Sequence, residues 1–196
     1  GLEDGGFAIA WMSQHQDGDG YSGIARVFDI NGTAKGNEFI FPKSIVSHQY
    51  QPSISGLTQG GGFVISWTST KQDGDNDGVI ARVFDLNGTA KINDIIVNEY
   101  ITNRQYFSSV SGLKDGGFVV TWASLDQDGD GSGVYAKVFN ADWTVRRAEF
   151  LVTEYTISDQ TNPNVAGLKQ GNGFVIAWVS LGQDASNTGV FARMFD

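Results

Sequence analysis

The chain has 196 residues, 26 of them glycine and 3 proline, with no cysteine and a formal net charge of −9. The missing cysteine excludes a disulfide scaffold, a cysteine zinc site and a thiol nucleophile, and the glycines lack the every-third-residue period of collagen. The charge argues against nucleic acid or an anionic membrane surface as partner, no apolar run approaches the roughly 18 residues of a membrane helix, and 40% hydrophobic with 12% aromatic content is enough for a core.

The first element begins at Phe7, behind a glycine, and runs to Trp11 with aromatic and aliphatic residues. Phe7 recurs as Phe63, Phe118 and Phe174, at spacings of 56, 55 and 56. Trp11, Trp67, Trp122 and Trp178 keep the same spacings, as do Gly23, Gly78, Gly133 and Gly189, and Phe28, Phe84, Phe139 and Phe195. Agreement of four registers defines a tandem repeat of about 55 residues. The units are 1–61, 62–116, 117–172 and a partial 173–196 that holds two strands.

The second unit reads most clearly. Phe63–Trp67 is a strand with Phe63, Ile65 and Trp67 on one face. A polar loop from Thr68 to Gly78 leads to a strand at Val79–Phe84. Asp85-Leu86-Asn87-Gly88 closes it, and Asn-Gly is a strong hairpin signal because both residues tolerate positive φ. A short strand at Asp94–Val97 and another at Phe107–Leu113 complete the unit. No stretch has helical periodicity. Four antiparallel strands repeated at this period predict an all-β fold of β-propeller-like blades, with a β-sandwich as runner-up. Three and a half units suit part of a larger chain or assembly better than a small closed ring, since half a blade leaves a strand edge unpaired.

The loop between the first two strands is acidic in each copy. It carries Asp17 and Asp19, then Asp73, Asp75 and Asp77, then Asp128 and Asp130, and only Asp184 in the fourth copy. Alternating carboxylates followed by glycine suit calcium, which takes several oxygen ligands around a sharp turn. The second loop has the full D-x-D-x-D-G pattern and is the best candidate; it lacks the glutamate and the flanking helices of an EF-hand. Asp and Gly are also ordinary turn residues, which explains the same loops without a metal.

Other recurrent residues have plainer readings. The tryptophans sit on the apolar face and predict core packing rather than sugar-stacking platforms. Arg26, Arg82, Lys137 and Arg193 recur on the second strand, where a cation faces solvent or pairs with a neighbouring blade. Gln49, Gln105 and Gln160 precede the fourth strand and suit turn hydrogen bonds. Asn31 and Asn87 begin N-glycosylation sequons at exposed turns. In the third copy that turn becomes Asn140-Ala141-Asp142-Trp143, so Trp143, with Arg146 and Arg147, is a candidate partner contact. His15 and His48 occupy non-equivalent positions, and no nucleophile elbow, zinc-protease helix or phosphate loop occurs. The expectation is therefore not an enzyme.

Gly-Phe-Val-x-x-Trp, then Gln-Asp-Gly-Asp, then Gly-Val-x-Ala-Arg-x-Phe-Asp-x-Asn-Gly resembles a tandem repeat of large secreted bacterial proteins of the hemolysin-type calcium-binding and adhesin-like kind. The strand, acidic loop and strand are also similar to the FG-GAP blades of integrin-type propellers, although Ala81 stands where that pattern has a further aspartate. These resemblances imply an extracellular or cell-surface, calcium-associated β-repeat that serves as a structural or adhesive part. Its partners would be further repeats or a cell-surface protein or glycan. A carbohydrate-binding propeller lectin is the alternative, and a glycoside-acting enzyme domain the second alternative. A lectin would show sugar pockets repeated once per blade.

Overall fold

The computed structural model of the chain describes residues 1–45, 48–185 and 187–196. Among them fourteen strands build four antiparallel sheets, with no helix. The first sheet holds β1 (Phe7–Gln14), β2 (Tyr21–Phe28) and β3 (Phe39–Ile40). The second holds β4 (Gln49–Gly56), β5 (Phe63–Thr70), β6 (Asp77–Phe84) and β7 (Ile95–Ile96). The third holds β8 (Gln105–Gly112), β9 (Phe118–Leu125), β10 (Ser132–Phe139) and β11 (Val145–Leu151). The fourth holds β12 (Gln160–Gly167), β13 (Phe174–Leu181) and β14 (Thr188–Phe195). The all-β, blade-like expectation is met.

One boundary differs from the sequence reading. The strand expected to close the second unit, Phe107–Leu113, is Gln105–Gly112 and heads the third sheet instead, paired with β9. The tight turn at Gly116 and Gly117 folds it onto the strand that follows, whereas residues 97–104 carry the chain away from β7. The second, third and fourth sheets therefore each begin one strand before the sequence unit does.

Local chemistry explains the strands. In every sheet the phenylalanine that starts one strand faces the phenylalanine that ends its partner. Phe63 lies opposite Phe84 and Phe118 opposite Phe139, with rings stacked at 5.2 and 4.6 Å. Such cross-strand aromatic pairs contribute about 0.2–1 kcal/mol each. Asp85 holds the Asn-Gly turn by accepting from the backbone amides of Asn87 and Thr89 at 2.9 and 2.8 Å. Gly88 takes φ +88°, which an L side chain resists.

The core lies between sheets. One cluster joins Val64, Val79 and Val83 of the second sheet to Phe118, Val120 and Trp122 of the third. A second cluster joins the third sheet to Phe174, Ile176 and Trp178, and a third joins Ala25, Val27 and Phe41 to Trp67 and Ile80. Trp67 and Trp122 are fully buried; each buries enough area to contribute about 4–6 kcal/mol as an upper estimate. Neighbouring sheets also meet along β4, β8 and β12. Ser53 and Ser55 accept from the amides of Val110 and Gly112 at 3.1 and 2.9 Å. Ser109 and Ser111 repeat this toward Val165 and Gly167 at 3.2 and 2.9 Å. These three strands thus form the inner edge around which the blades are arranged.

Candidate functional site

A cleft of about 330 Å³ opens where three sheets converge at the start of the inner strands. Met12 comes from the first sheet, Tyr50, Gln51, Thr68 and Asp77 from the second, and Tyr106 and Phe107 from the third, with Arg104 just before it. Two of these residues are placed by bulges. The inner strands shift register between Tyr50 and Ser53 and between Tyr106 and Ser109. Within the shifts Gln51 and Phe107 adopt φ +50° and +56°. A left-handed non-glycine residue costs of order 1–3 kcal/mol and is held only where surrounding structure enforces it. Bulges redirect side chains, here into the cleft.

The polar wall is a pair. Arg104 Nε donates to Asp77 Oδ2 at 2.8 Å, and Thr70 Oγ1 donates to Asp77 Oδ1 at 2.9 Å. Asp77 is buried while Arg104 is half exposed. The guanidinium also lies 5.2 Å from the centre of the Tyr106 ring. The apolar wall is aromatic: Tyr106 and Phe107 pack at 4.8 Å, and Tyr50 clusters with Tyr21 and His48 at 6.0 and 5.4 Å. Aromatic faces beside a few fixed polar groups suit a ligand with one apolar face and many hydroxyls.

The acidic loops are staples between sheets. Asp73 accepts from Asn98 Nδ2 at 2.7 Å, Asp75 from the Asn103 amide at 3.0 Å, and Asp77 from Arg104. The three carboxylates of the best calcium candidate thus face three separate protein donors. Asp130 repeats the Asp75 contact on the Ser158 amide at 3.0 Å. Asp17 accepts from the Asp19 amide at 3.1 Å. Among the described residues no three His, Cys, Asp or Glu side chains converge as a metal cluster. Ser186, in the fourth loop, lies outside the described residues. Asp128 differs from Asp73: both its oxygens are buried with no donor at bonding geometry. Burial pushes its carboxyl above the usual range, and the amides of Asp130 and Asp128 offset this only in part.

The remaining candidates find partners within the chain. Trp143 is half buried and packs on the core between the second and third sheets, with the Lys91 ammonium 5.7 Å from its ring. Arg146 pairs with Asp115 at 2.7 Å, and the Arg147 guanidinium stacks 3.5 Å from the Phe150 ring. Lys137 reaches back to Glu99 at 2.8 Å, and Arg193 to Glu154 at 3.1 Å. Trp67, Trp122 and Trp178 are buried as expected, whereas Trp11 is only partly buried. Asn31 and Asn87 are exposed at their turns. Arg104 and Phe107 were missed by sequence reasoning because they do not recur: His48 and Gln51 stand there in the preceding copy, Asp159 and Asn162 in the following one. Tyr106 recurs as Tyr50 but is replaced by Thr161, so its signal was weak.

The fold and this cleft define a β-propeller-like protein with an axial site. No family profile matches the chain, and no curated protein matches it in sequence. Solved structures do. A protein of unknown function from Dyadobacter fermentans matches with TM-score 0.69 at 11% identity, over 98% of this chain and 50% of that one. The chain thus spans about half of that protein's length. An α-L-arabinofuranosidase from Lactobacillus brevis matches with TM-score 0.60 at 11% identity, over 98% and 70% of the two chains. An endo-arabinase from Bacteroides thetaiotaomicron matches with TM-score 0.55 at 14% identity, over 98% and 72%. Identities this low establish the fold. The expectation of a non-catalytic structural or adhesive array is overturned: the matched folds with a stated activity are glycoside-acting enzymes.

Proposed function

We propose that the chain is a glycoside-acting propeller domain and that the axial cleft receives a sugar residue of a glycan. The cleft itself carries this reading, because a carboxylate, a guanidinium and aromatic faces from the second and third sheets meet there, with Met12 of the first sheet beside them. Sugar C–H faces stack on Tyr106, Phe107 and Tyr50, while Asp77 and Arg104 exchange hydrogen bonds with ring hydroxyls. Hydrolysis uses two carboxyl groups about 5–9.5 Å apart. Asp77, held in place by Arg104 Nε and Thr70 Oγ1, supplies one. Arabinose-containing oligosaccharides are the first class to try, since the structural neighbours act on arabinosides by name. Were the substrate a polymer of this kind, the protein would have to act outside the cell or at its surface.

The test combines calorimetric titration against a panel of oligosaccharides, arabinan fragments included, with an assay for released reducing ends. The reading expects a ligand whose affinity falls about tenfold or more in Tyr106→Ala, and turnover that is lost in Asp77→Asn while binding persists. Affinity indifferent to Tyr106→Ala, turnover absent from the wild type or indifferent to Asp77→Asn, or no binding across the panel, would overturn it. Arg104→Gln should lower turnover and affinity together.

A further inference from the structure

Asn98 is buried beneath the second acidic loop, and its amide group closes a polar pocket. Nδ2 donates to Asp73 Oδ2 at 2.7 Å, to the Tyr100 carbonyl at 3.0 Å and to Gln105 Oε1 at 3.1 Å. Oδ1 accepts from the Val79 amide at 2.8 Å. One NH2 group thus serves three oxygens that converge on a point.

The third copy keeps the oxygens and loses the donor. Asp73, Tyr100 and Gln105 correspond, 55 residues on, to Asp128, Tyr155 and Gln160, but Asn98 corresponds to Thr153. The backbone frame is the same: Gly78 and Gly133 lie directly against the Asp73 and Asp128 carboxylates. Gln105 Nε2 donates to the Thr102 carbonyl and Gln160 Nε2 to the matching Ile157 carbonyl, both at 2.9 Å, so both Oε1 atoms are turned into the pocket. Threonine is one atom too short and lacks the amide. Asp128 Oδ1 and Oδ2, Thr153 Oγ1 and Gln160 Oε1 are all buried without a hydrogen-bond partner. Thr153 and Gln160 are 3% and 0% exposed. An unpaired buried acceptor costs about 1–3 kcal/mol, and more when charged, so these atoms, at the positions whose oxygens converge on Asn98 in the second copy, call for an occupant.

We propose that the pocket bounded by Asp128, Thr153 and Gln160 binds a calcium ion, which takes the place that the Asn98 amide fills in the preceding blade. The ligand set is all oxygen, with one carboxylate and neutral groups, as a hard cation prefers. The exposed Asp130 is engaged with the Ser158 amide and stays outside the set. The ion would tie the third loop to the entry of β12, as Asn98 ties the second loop to β8. This site is distinct from the axial cleft and independent of what that cleft binds.

The test is calorimetric titration of the chelator-treated chain with CaCl2, in parallel for the wild type, Asp128→Asn and Thr153→Asn. Thr153→Asn installs the donor of the second copy and should fold at least as well as the metal-free wild type. The wild type should take up calcium saturably, and each variant should bind one ion fewer. Thr153→Asn should also lose the gain in melting temperature that this ion gives the wild type. Absence of saturable uptake by the wild type, or an unchanged stoichiometry in Thr153→Asn, would overturn the proposal, leaving a water or a protonated Asp128 as occupant. If Asp128→Asn does not fold, Thr153→Asn decides alone.

Discussion

Trp143 occupies, at φ +69°, the turn position that Gly32 and Gly88 hold at +79° and +88° in the two earlier copies. A bulky residue there is strained by about 1–2 kcal/mol. The ring offsets that strain by packing on the core shared by the second and third sheets. Trp143→Ala should remove the packing and keep the strain, whereas Trp143→Gly removes both. Both variants should melt below the wild type, with the glycine variant above the alanine variant. The reverse order in a thermal melt would show that the backbone is not strained there. Glu99 gives a prediction with a pH sign. The Lys137 ammonium, hydrogen-bonded at 2.8 Å, holds the Glu99 carboxyl below its ordinary 4.5. The folded state therefore favours the ionised form, so its contribution is complete above about that value and fades as pH falls through the lower folded value. Wild type and Glu99→Gln should differ in melting temperature at neutral pH and converge in acid. A constant difference down to pH 3 would assign the effect to packing instead.

At the scale of elements, the inner strands depend on close backbone approach. A Cβ on Gly112 would lie 2.4 Å from the Gly56 carbonyl oxygen, and one on Gly167 the same distance from that of Gly112. Gly112→Ala must push two inner strands apart, at a cost of at least about 1–3 kcal/mol, or roughly 2–4 °C of melting temperature per kcal/mol for a chain of this size. Gly36→Ala, where nothing lies within 4 Å and φ is ordinary, is the control and should be silent. An equal effect of both in thermal melts would refute the steric account. These elements also show what a sequence reveals. The outer strands, the Asn-Gly turns and the buried tryptophans were legible because their signals are local: alternation, turn chemistry and recurrence. The assignment of β8 to the third sheet was not, since the choice of partner is made by non-local packing along β4, β8 and β12. The bulges at Gln51 and Phe107 were hidden too, because neither residue prefers positive φ. The staples were not legible for the same reason: Asp75 meets Asn103, and Asp77 meets Arg104, only once the next blade is in place.

At the scale of the molecule, stability follows position in the array. When units contact only their neighbours, an inner unit has two interfaces and a terminal unit one. Both faces of β5, β6, β9 and β10 are covered, with nearly every residue buried. By contrast β1 and β14 alternate with exposed positions, and Val190 and Met194 are 78% and 66% exposed. Local opening of the terminal sheets should thus cost less than global unfolding, while the two central sheets open only with the whole. Native-state hydrogen exchange should find the slowest amides in β9 and β10 and markedly faster ones in β14. Trp122→Ala, at about 3–5 kcal/mol for a fully buried ring, should accelerate exchange throughout the central sheets. The half-exposed Trp11, replaced in the same way, should accelerate it mainly in the first sheet. The cleft draws on the first three sheets, so a bound glycan should slow exchange in β1 as well as in β4 and β8 and leave β14 unaffected. Uniform protection across all four sheets would instead mean that the chain unfolds as one cooperative unit, with no weaker ends for a ligand to secure.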